Sequence, residues 1–254
     1  MIRPQATADR KGDADIFLSE KVLVIIPAHN EAESITTTVS DLISCCPDVD
    51  FIVVNDGSTD TTARLCRQAN FPLLDLACNL GLSGAVGAGM RYAWRYGYTA
   101  AVQFDADGQH RPEYLSLMIK ALANGHDIVC GSRFLGRSKP PTLRMFGSAL
   151  IAYAIRVTTA RRLTDPTSGY RAWGRRIIEL FATQTNMTPE PDTISYLMRL
   201  GARVTEVPMV MNRRAAGVSY LGPFASLKYM LRMVISILLI QFFRKGELSS
   251  LSAH

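Results

Sequence analysis

The stretch Ala101-Val102-Gln103-Phe104-Asp105-Ala106-Asp107-Gly108-Gln109-His110 decides how the rest of the chain is read. An apolar run ends in two aspartates one residue apart, followed by glycine and polar residues. Val102 to Asp105 has the character of a buried strand. Asp107 then falls just past its carboxyl end, where open α/β sheets place their ligands. Residues i and i+2 of a strand share a side, so Asp105 and Asp107 face one point. Two hard carboxylates on a short turn suit Mg²⁺ or Mn²⁺, above all when a substrate diphosphate supplies further oxygen ligands. Read blandly, the same residues are a strand capped by a D-x-D-G turn with no metal, so the flanking segments must arbitrate.

Before this stretch, strands and helices alternate. Val22 to Ile26 is a continuous β-branched run ending at Pro27-Ala28-His29-Asn30-Glu31, with a helix from about Ser34 to Ile43. Phe51 to Val54 is a second strand, closed by Asn55-Asp56-Gly57-Ser58-Thr59-Asp60 and a helix to about Gln68. Leu73 to Leu76 is a short third strand. Asn79-Leu80-Gly81-Leu82-Ser83-Gly84 leads into a glycine-spotted helix that runs to about Tyr96. Beyond the central stretch, a helix from Pro112 to about Asn124 and a strand at Ile128 to Cys130 complete βαβ units, which predict a mostly parallel sheet. After Arg133 the pattern loosens. Helices are expected over Leu143 to Thr158, from near Arg175, and after Pro189-Glu190-Pro191-Asp192, with a polar loop over Arg161 to Arg171 and a strand at Arg203 to Val207. Ser226 to Phe243 is a long, mostly apolar helix.

Length and composition narrow the classes. The 254 residues, 48% hydrophobic and 20% charged, fit one large α/β domain with an appendage. Residues 1–20 form a polar arm without the apolar core of a secretory signal, 21–222 the main domain, and 223–254 the C-terminal helix and tail. The net charge of +6 points to an anionic membrane, an anionic substrate or nucleic acid. No helix-turn-helix, zinc-finger or RNA-binding signature accompanies it, so nucleic acid is not expected as a partner. The five cysteines, Cys45, Cys46, Cys66, Cys78 and Cys130, form no C-x-x-C and fit a reducing cytoplasm. The glycine-rich stretch matches neither a G-K-[ST] phosphate loop nor G-x-G-x-x-G.

Taken together, V-I-I-P-A-H-N-E, V-V-N-D-G-S-T-D-T-T, N-L-G-L-S-G-A-V-G-A-G and D-A-D-G-Q-H resemble family 2 glycosyltransferases of the GT-A nucleotide-sugar-binding fold. G-S-R-F and D-P-T-S-G-Y-R resemble the dolichyl- and polyprenyl-phosphate sugar synthases within them. The resemblance spans roughly Val22 to Val210. It implies that Pro27, Glu31 and Asp56 line the nucleoside, with Asn30, Gly57, Ser58, Asn79, Gly81, Gly84 and Ala106 completing the donor site. It further implies that Asp105 and Asp107 hold Mg²⁺ or Mn²⁺ on the diphosphate with Gln109 beside it, and that Arg133 and Arg171 face phosphate groups. Ser168 and Arg213 are expected on the acceptor side. Read blandly, Asp56 and Asp60 are a turn residue and an N-cap, Glu31 a first-turn helix charge, and the arginines solvated.

The charges bear on the mechanism. Departure of a nucleoside diphosphate calls for a cation, supplied by a metal and by arginines. A hydroxyl acceptor must also lose a proton and needs a carboxylate base, whereas a phosphate acceptor arrives ionised. Glu190 and Asp192 stand where hydroxyl-transferring relatives carry an E-D pair, but here a proline separates them, which leaves their role as base open; the bland alternative is a helix start capped by Asp192. The expected enzyme is an inverting, metal-dependent hexosyltransferase using a UDP-sugar and a polyprenyl phosphate at the cytoplasmic face of the membrane. The alternatives are transfer to a hydroxyl of a lipid-linked cell-surface glycan, a sugar-phosphate nucleotidyltransferase, and a catalytically inert scaffold. The uncharged run from Met233 to Phe243 is shorter than the roughly 20 apolar residues a membrane span needs. The segment Ser226 to Lys245 is expected to lie on an anionic membrane through the stripe Leu227, Met230, Leu231, Val234, Leu238 and the cations Lys228, Arg232, Arg244 and Lys245, with a homo-oligomer contact or packing on its own domain as the alternatives.

Overall fold

A computed structural model describes residues 21–184, 186–212 and 223–240, and within the last stretch the side chains of 228–239. The N-terminal arm, Arg213, the Leu227 side chain, Arg244 and Lys245 lie outside that description. The elements are β1 Val22–Ala28, α1 Ile35–Cys45, β2 Asp50–Asn55, α2 Thr62–Gln68, β3 Leu73–Asp75, α3 Gly81–Arg95 and β4 Ala100–Gln103. A 3₁₀ turn at Pro112–Tyr114 then leads into α4 Leu115–Ala123, followed by β5 Ile128–Ser132 and α5 Leu143–Thr159. The chain continues through β6 Arg171–Gly174, α6 Arg175–Thr183, α7 Pro191–Arg199, β7 Val204–Pro208 and α8 Pro223–Ile235, which runs on as a π-helical segment, Ser236–Ile240.

The seven strands form one sheet in the order β3-β2-β1-β4-β6-β5-β7. Every pairing is parallel except those of β6, which runs antiparallel between β4 and β5. Alternation along β1 feeds two cores. Leu23 and Ile25 face the layer of α3 and α5 to α8, and Val22, Val24 and Ile26 face that of α1, α2 and α4. Gly89 lets α3 approach β1 closely, because a Cβ there would collide with Ile25.

Two sequence expectations are corrected. β4 ends at Gln103, not at Asp105. Phe104 still donates to the Ile25 carbonyl, but the Asp105 N–H donates to His110 Nδ1, 2.9 Å away, and the chain leaves the sheet. That early exit also explains Pro27 in a central strand. β4 pairs with β1 only as far as Ile25, so Pro27 has a ladder neighbour on one side alone. The second correction is β6, which lies at the end of the expected polar loop. Four residues that begin with arginine and end with glycine present no strand period.

β6 matters for the site because of its direction. An antiparallel strand starts at the edge where its parallel neighbours finish. Arg171 therefore pairs with Gln103, and the segment before it, Asp165 to Tyr170, is delivered to the carboxyl end of β4. The C-terminal helix docks on its own domain. Met230, Met233 and Ile237 are buried, and Gly147 of α5 lies so close to Met230 that a Cβ would overlap it.

Candidate active site at the carboxyl edge of the sheet

The loops after β1 and β2 are tied to each other. Asn30, in the left-handed conformation with φ 56°, accepts from the Thr59 N–H at 2.8 Å, and its own N–H donates to Ser58 Oγ at 3.0 Å. The Glu31 N–H donates to Thr62 Oγ1, and the Glu31 carboxylate accepts from Ser34 Oγ at 2.7 Å. Asp56 is buried and accepts from the Leu80 N–H at 2.7 Å, which links β2 to the start of α3. Gly57, at φ 60°, lies against that start; a Cβ would come 2.5 Å from the Asn79 nitrogen. Asn79 accepts from the Gly81 N–H at 2.8 Å and contacts the His29 ring, whose Nδ1 lies 2.8 Å from the Asp56 carbonyl. Pro27 is buried at the end of β1, and Gly84 lies inside α3 against Leu80. The residues expected on the donor side therefore share one edge.

Asp105 and Asp107 stand next to them, both partly exposed. Asp105 Oδ1 accepts from Gln103 Nε2 at 3.0 Å, and its Oδ2 lies 3.6 Å from His110 Nε2. Asp107 Oδ1 accepts from the Gln109 N–H at 3.0 Å, and the Ala106 carbonyl accepts from Thr38 Oγ1 at 3.0 Å. The Gln109 carbonyl in turn accepts from the Asn212 N–H at 2.9 Å.

His110 is buried, stacked on Tyr170 at 4.6 Å and edge-on to Phe104. Burial pushes its imidazole below the ordinary value against the pull of Asp105 and Asp107, so the ring is neutral at neutral pH. Because Nδ1 accepts from the Asp105 N–H, the single proton sits on Nε2 and points toward Asp105. Across the carboxylate, a Cβ on Gly169 would lie 2.5 Å from Asp105 Oδ2. Asp105 is thus held by Gln103, His110 and the bare backbone of Gly169. Gln103 and Gly169 carry no metal-ligand signal, and the His110 Nδ1 that could be a ligand is occupied by the Asp105 N–H.

Hard carboxylate oxygens in a rigid, partly open turn fit Mg²⁺ or Mn²⁺. No group of three or more His, Cys, Asp or Glu that could by itself hold a metal ion occurs among the described residues. Asp105 and Asp107 therefore suit a cation that completes its shell with substrate oxygens and water, as Mg²⁺ habitually does.

The residues expected on the acceptor side are bound more tightly to one another. Arg133 pairs with Asp165, which is fully buried, through Nε at 2.6 Å and Nη2 at 2.9 Å. Glu206 of β7 anchors the same loop by accepting from the N–H groups of Thr164 at 2.7 Å and Asp165 at 2.8 Å. Arg171 is 3% exposed and donates to the carbonyls of Pro166, at 2.7 Å, and Pro189. It joins the 165–169 segment to the start of α7, and its Nη1 and Nη2 atoms are occupied by carbonyls. Ser168 is buried, and its hydroxyl has no hydrogen-bond partner among the described residues. Glu190 accepts from the Tyr229 hydroxyl, and Asp192 accepts from Ser236 Oγ at 2.6 Å and the Thr193 N–H at 2.8 Å. Burial holds the Glu190 carboxyl above the ordinary range, although Tyr229 and Arg171 pull it down. Sequence reasoning did not single out Asp165 and Glu206, because their partners lie in distant segments.

The family model described as glycosyl transferase family 2 matches residues 23–181. An undecaprenyl-phosphate mannosyltransferase of Micrococcus luteus is 35% identical over 212 residues, covering 78% of this chain and 86% of that one. A polyprenol monophosphomannose synthase of Mycolicibacterium smegmatis is 30% identical, covering 81% of this chain and 83% of that one. Among solved structures, a glucosyl-3-phosphoglycerate synthase of Mycobacterium tuberculosis, in complex with Mn²⁺, UDP and phosphoglyceric acid, superposes with a TM-score of 0.69 at 20% identity. The match covers 97% of this chain and 86% of that one. At that identity the likeness shows the fold.

Proposed function

This chain belongs to glycosyl transferase family 2, and we propose that it transfers a sugar from a nucleotide-diphosphate sugar to a polyprenyl phosphate, with inversion at the anomeric carbon. A phosphate oxygen of the acceptor attacks that carbon, the bond to the nucleoside diphosphate breaks, and the diphosphate leaves with the electron pair. The reading makes the loops after β1, β2 and β3 the nucleoside and ribose site. Asp105 and Asp107 hold Mg²⁺ or Mn²⁺, which when bound stabilises the charge on the departing diphosphate. Arg133 presents its remaining donor face to phosphate, kept in place by Asp165. Arg171 orients the acceptor loop through the carbonyls of Pro166 and Pro189.

The observation that supports a phosphate acceptor over a hydroxyl is the state of Glu190 and Asp192. Both carboxylates are tied to the C-terminal helix, Glu190 by Tyr229 of α8 and Asp192 by Ser236 of the π-helical segment that follows. A hydroxyl acceptor needs a positioned base. An ionised phosphate does not, and the names of both relatives point to polyprenyl phosphate acceptors. The test is product analysis with short-chain polyprenyl phosphate, Mn²⁺ and UDP-, GDP- and dTDP-sugars in parallel, with UDP-sugars first. The expected product is a polyprenyl monophosphate sugar formed with one of these donors. Transfer to a glycan hydroxyl with none to the lipid phosphate moves the reading to the alternative.

A further inference from the structure

A cavity of about 260 Å³ opens at the amino edge of the sheet, opposite the carboxyl-edge site. It lies where β4, β5 and β7 begin and where β6, running the other way, ends. Ala100 and Gly174 in its wall are register partners, as are Gln103 and Arg171 at the far end of the same two strands. Roughly 10 Å of strand separates the two ends.

The lining has two chemistries. Ile119 and Leu122 of α4 are apolar, whereas Arg175, Arg176 and Arg203 bring cations from two segments far apart along the chain. Among the described lining residues, Asp127 is the one acid. It is buried and already engaged: its Oδ2 accepts from the Arg203 N–H at 2.8 Å. Its contacts with the guanidinium groups are looser, 3.5 Å to Arg176 Nη1 and 3.8 Å to Arg203 Nε. One carboxylate therefore orients two arginines without neutralising all three. Gly125, at φ 90°, lets the Arg203 guanidinium lie close; a Cβ there would come 3.0 Å from Nη1. α6 starts at the same cavity with Arg175 and Arg176 in its first turn, no acid there, and a Gly174 N-cap that supplies no side chain. Cations are unfavourable at that end of a helix dipole, and an anion relieves the conflict.

We propose that this cavity binds a small anion, a phosphate or carboxylate group carried on a compact apolar body, at a second site separate from the carboxyl edge. The arginines offer paired donors to the anionic group, and Ile119 and Leu122 cover the apolar part. The volume falls just under the roughly 300 Å³ of the smallest ligand pockets, which suits a body of one ring rather than a nucleotide sugar.

The experiment is calorimetric titration of the full chain, without divalent cation, using phenyl phosphate, benzoate and inorganic phosphate, with hydrogen exchange to locate the site. Phenyl phosphate should bind more tightly than inorganic phosphate and slow exchange at residues 125–127 and 174–178. Benzoate that binds as tightly identifies a carboxylate ligand; benzoate that binds more weakly identifies a phosphate. Arg175→Ala and Arg203→Ala should each weaken phenyl phosphate binding about tenfold. Ala123→Asp keeps every arginine and should weaken binding similarly, because it sets a carboxylate on the exposed rim. All three positions are exposed, so the melting temperature without ligand and the turnover should hold. Exchange slowed only in the carboxyl-edge loops at 30–31, 56–60 and 79–84, binding that all three variants leave intact, or no binding at millimolar phenyl phosphate would each overturn the inference.

Discussion

The carboxyl edge of this sheet has two halves, a proposed donor edge and a proposed acceptor edge, that use charge in opposite ways. At the donor edge, strands run parallel and end together. The backbone and small polar side chains such as Ser58, Thr59 and Thr62 take up the structural hydrogen bonds, and Asp105 and Asp107 remain partly exposed. At the acceptor edge, β6 runs the other way, and the charged residues brought in with it are engaged with one another. Arg133 pairs with Asp165, Glu206 holds the Asp165 loop, and Tyr229 and Ser236 hold Glu190 and Asp192. A charge that waits for a ligand is kept near water. A charge that shapes a loop is buried and must be paired, because an unpaired buried ion is costly.

The sharpest contrast comes from Asp107→Asn. Loss of a metal-binding carboxylate should lower turnover on the order of 10³-fold, with the melting temperature unchanged, and EDTA should do the same to wild type. Turnover assays with and without Mn²⁺ check both. Full activity in either case would put the donor edge in the same structural class as the acceptor edge.

Gly169→Ala tests the contact between the two edges. Its Cβ would lie 2.5 Å from Asp105 Oδ2, so the carboxylate or the loop must shift. A misplacement near 1 Å costs up to roughly 10²-fold in rate. The expected result is a lower kcat and a higher Mn²⁺ requirement, read from metal titrations of activity.

Arg133→Ala should be mainly a stability lesion if the acceptor edge is a network of mutual pairs. It strips the buried Asp165 of its cation, which costs about 3 kcal/mol. For a chain of this size that is a fall in melting temperature of roughly 6–12 °C. Arg133→Ala with Asp165→Asn should recover a large part of the loss in thermal melts. Activity should stay low in both if Arg133 also touches phosphate.

Glu190→Gln should have the smallest effect. With a phosphate acceptor it keeps most activity; a loss on the order of 10²-fold with intact donor binding would reassign Glu190 as a base. Its stability effect has a definite sign. Burial raises the folded-state pKa of Glu190 above its unfolded value. Stability from this group is therefore fully present below the unfolded value and is lost as pH rises through the folded one. The glutamine variant should melt above wild type at neutral pH, with the gap closing as the pH falls into the ordinary carboxylate range.

The chain's own sequence determined the alternating strand–helix order up to Ser132 and the loops at which Asn30, Asp56, Asn79, Asp105 and Asp107 stand. Those features are local: a β-branched run, a turn and a helix start each declare themselves within a few residues, and parallel strands then gather their carboxyl ends on one edge. It did not determine the end of β4, where His110 takes the Asp105 N–H, or the direction of β6. Nor did it reveal that Arg171 is buried on carbonyls 5 and 18 residues away, or that the C-terminal helix packs on α5. Apart from the His110–Asp105 and Arg171–Pro166 contacts, each five residues off and set by the loop they close, those are contacts between segments far apart along the chain. A four-residue strand such as Arg171–Gly174 has too little periodic signal to compete with a loop until the gap between β4 and β5 is there to receive it.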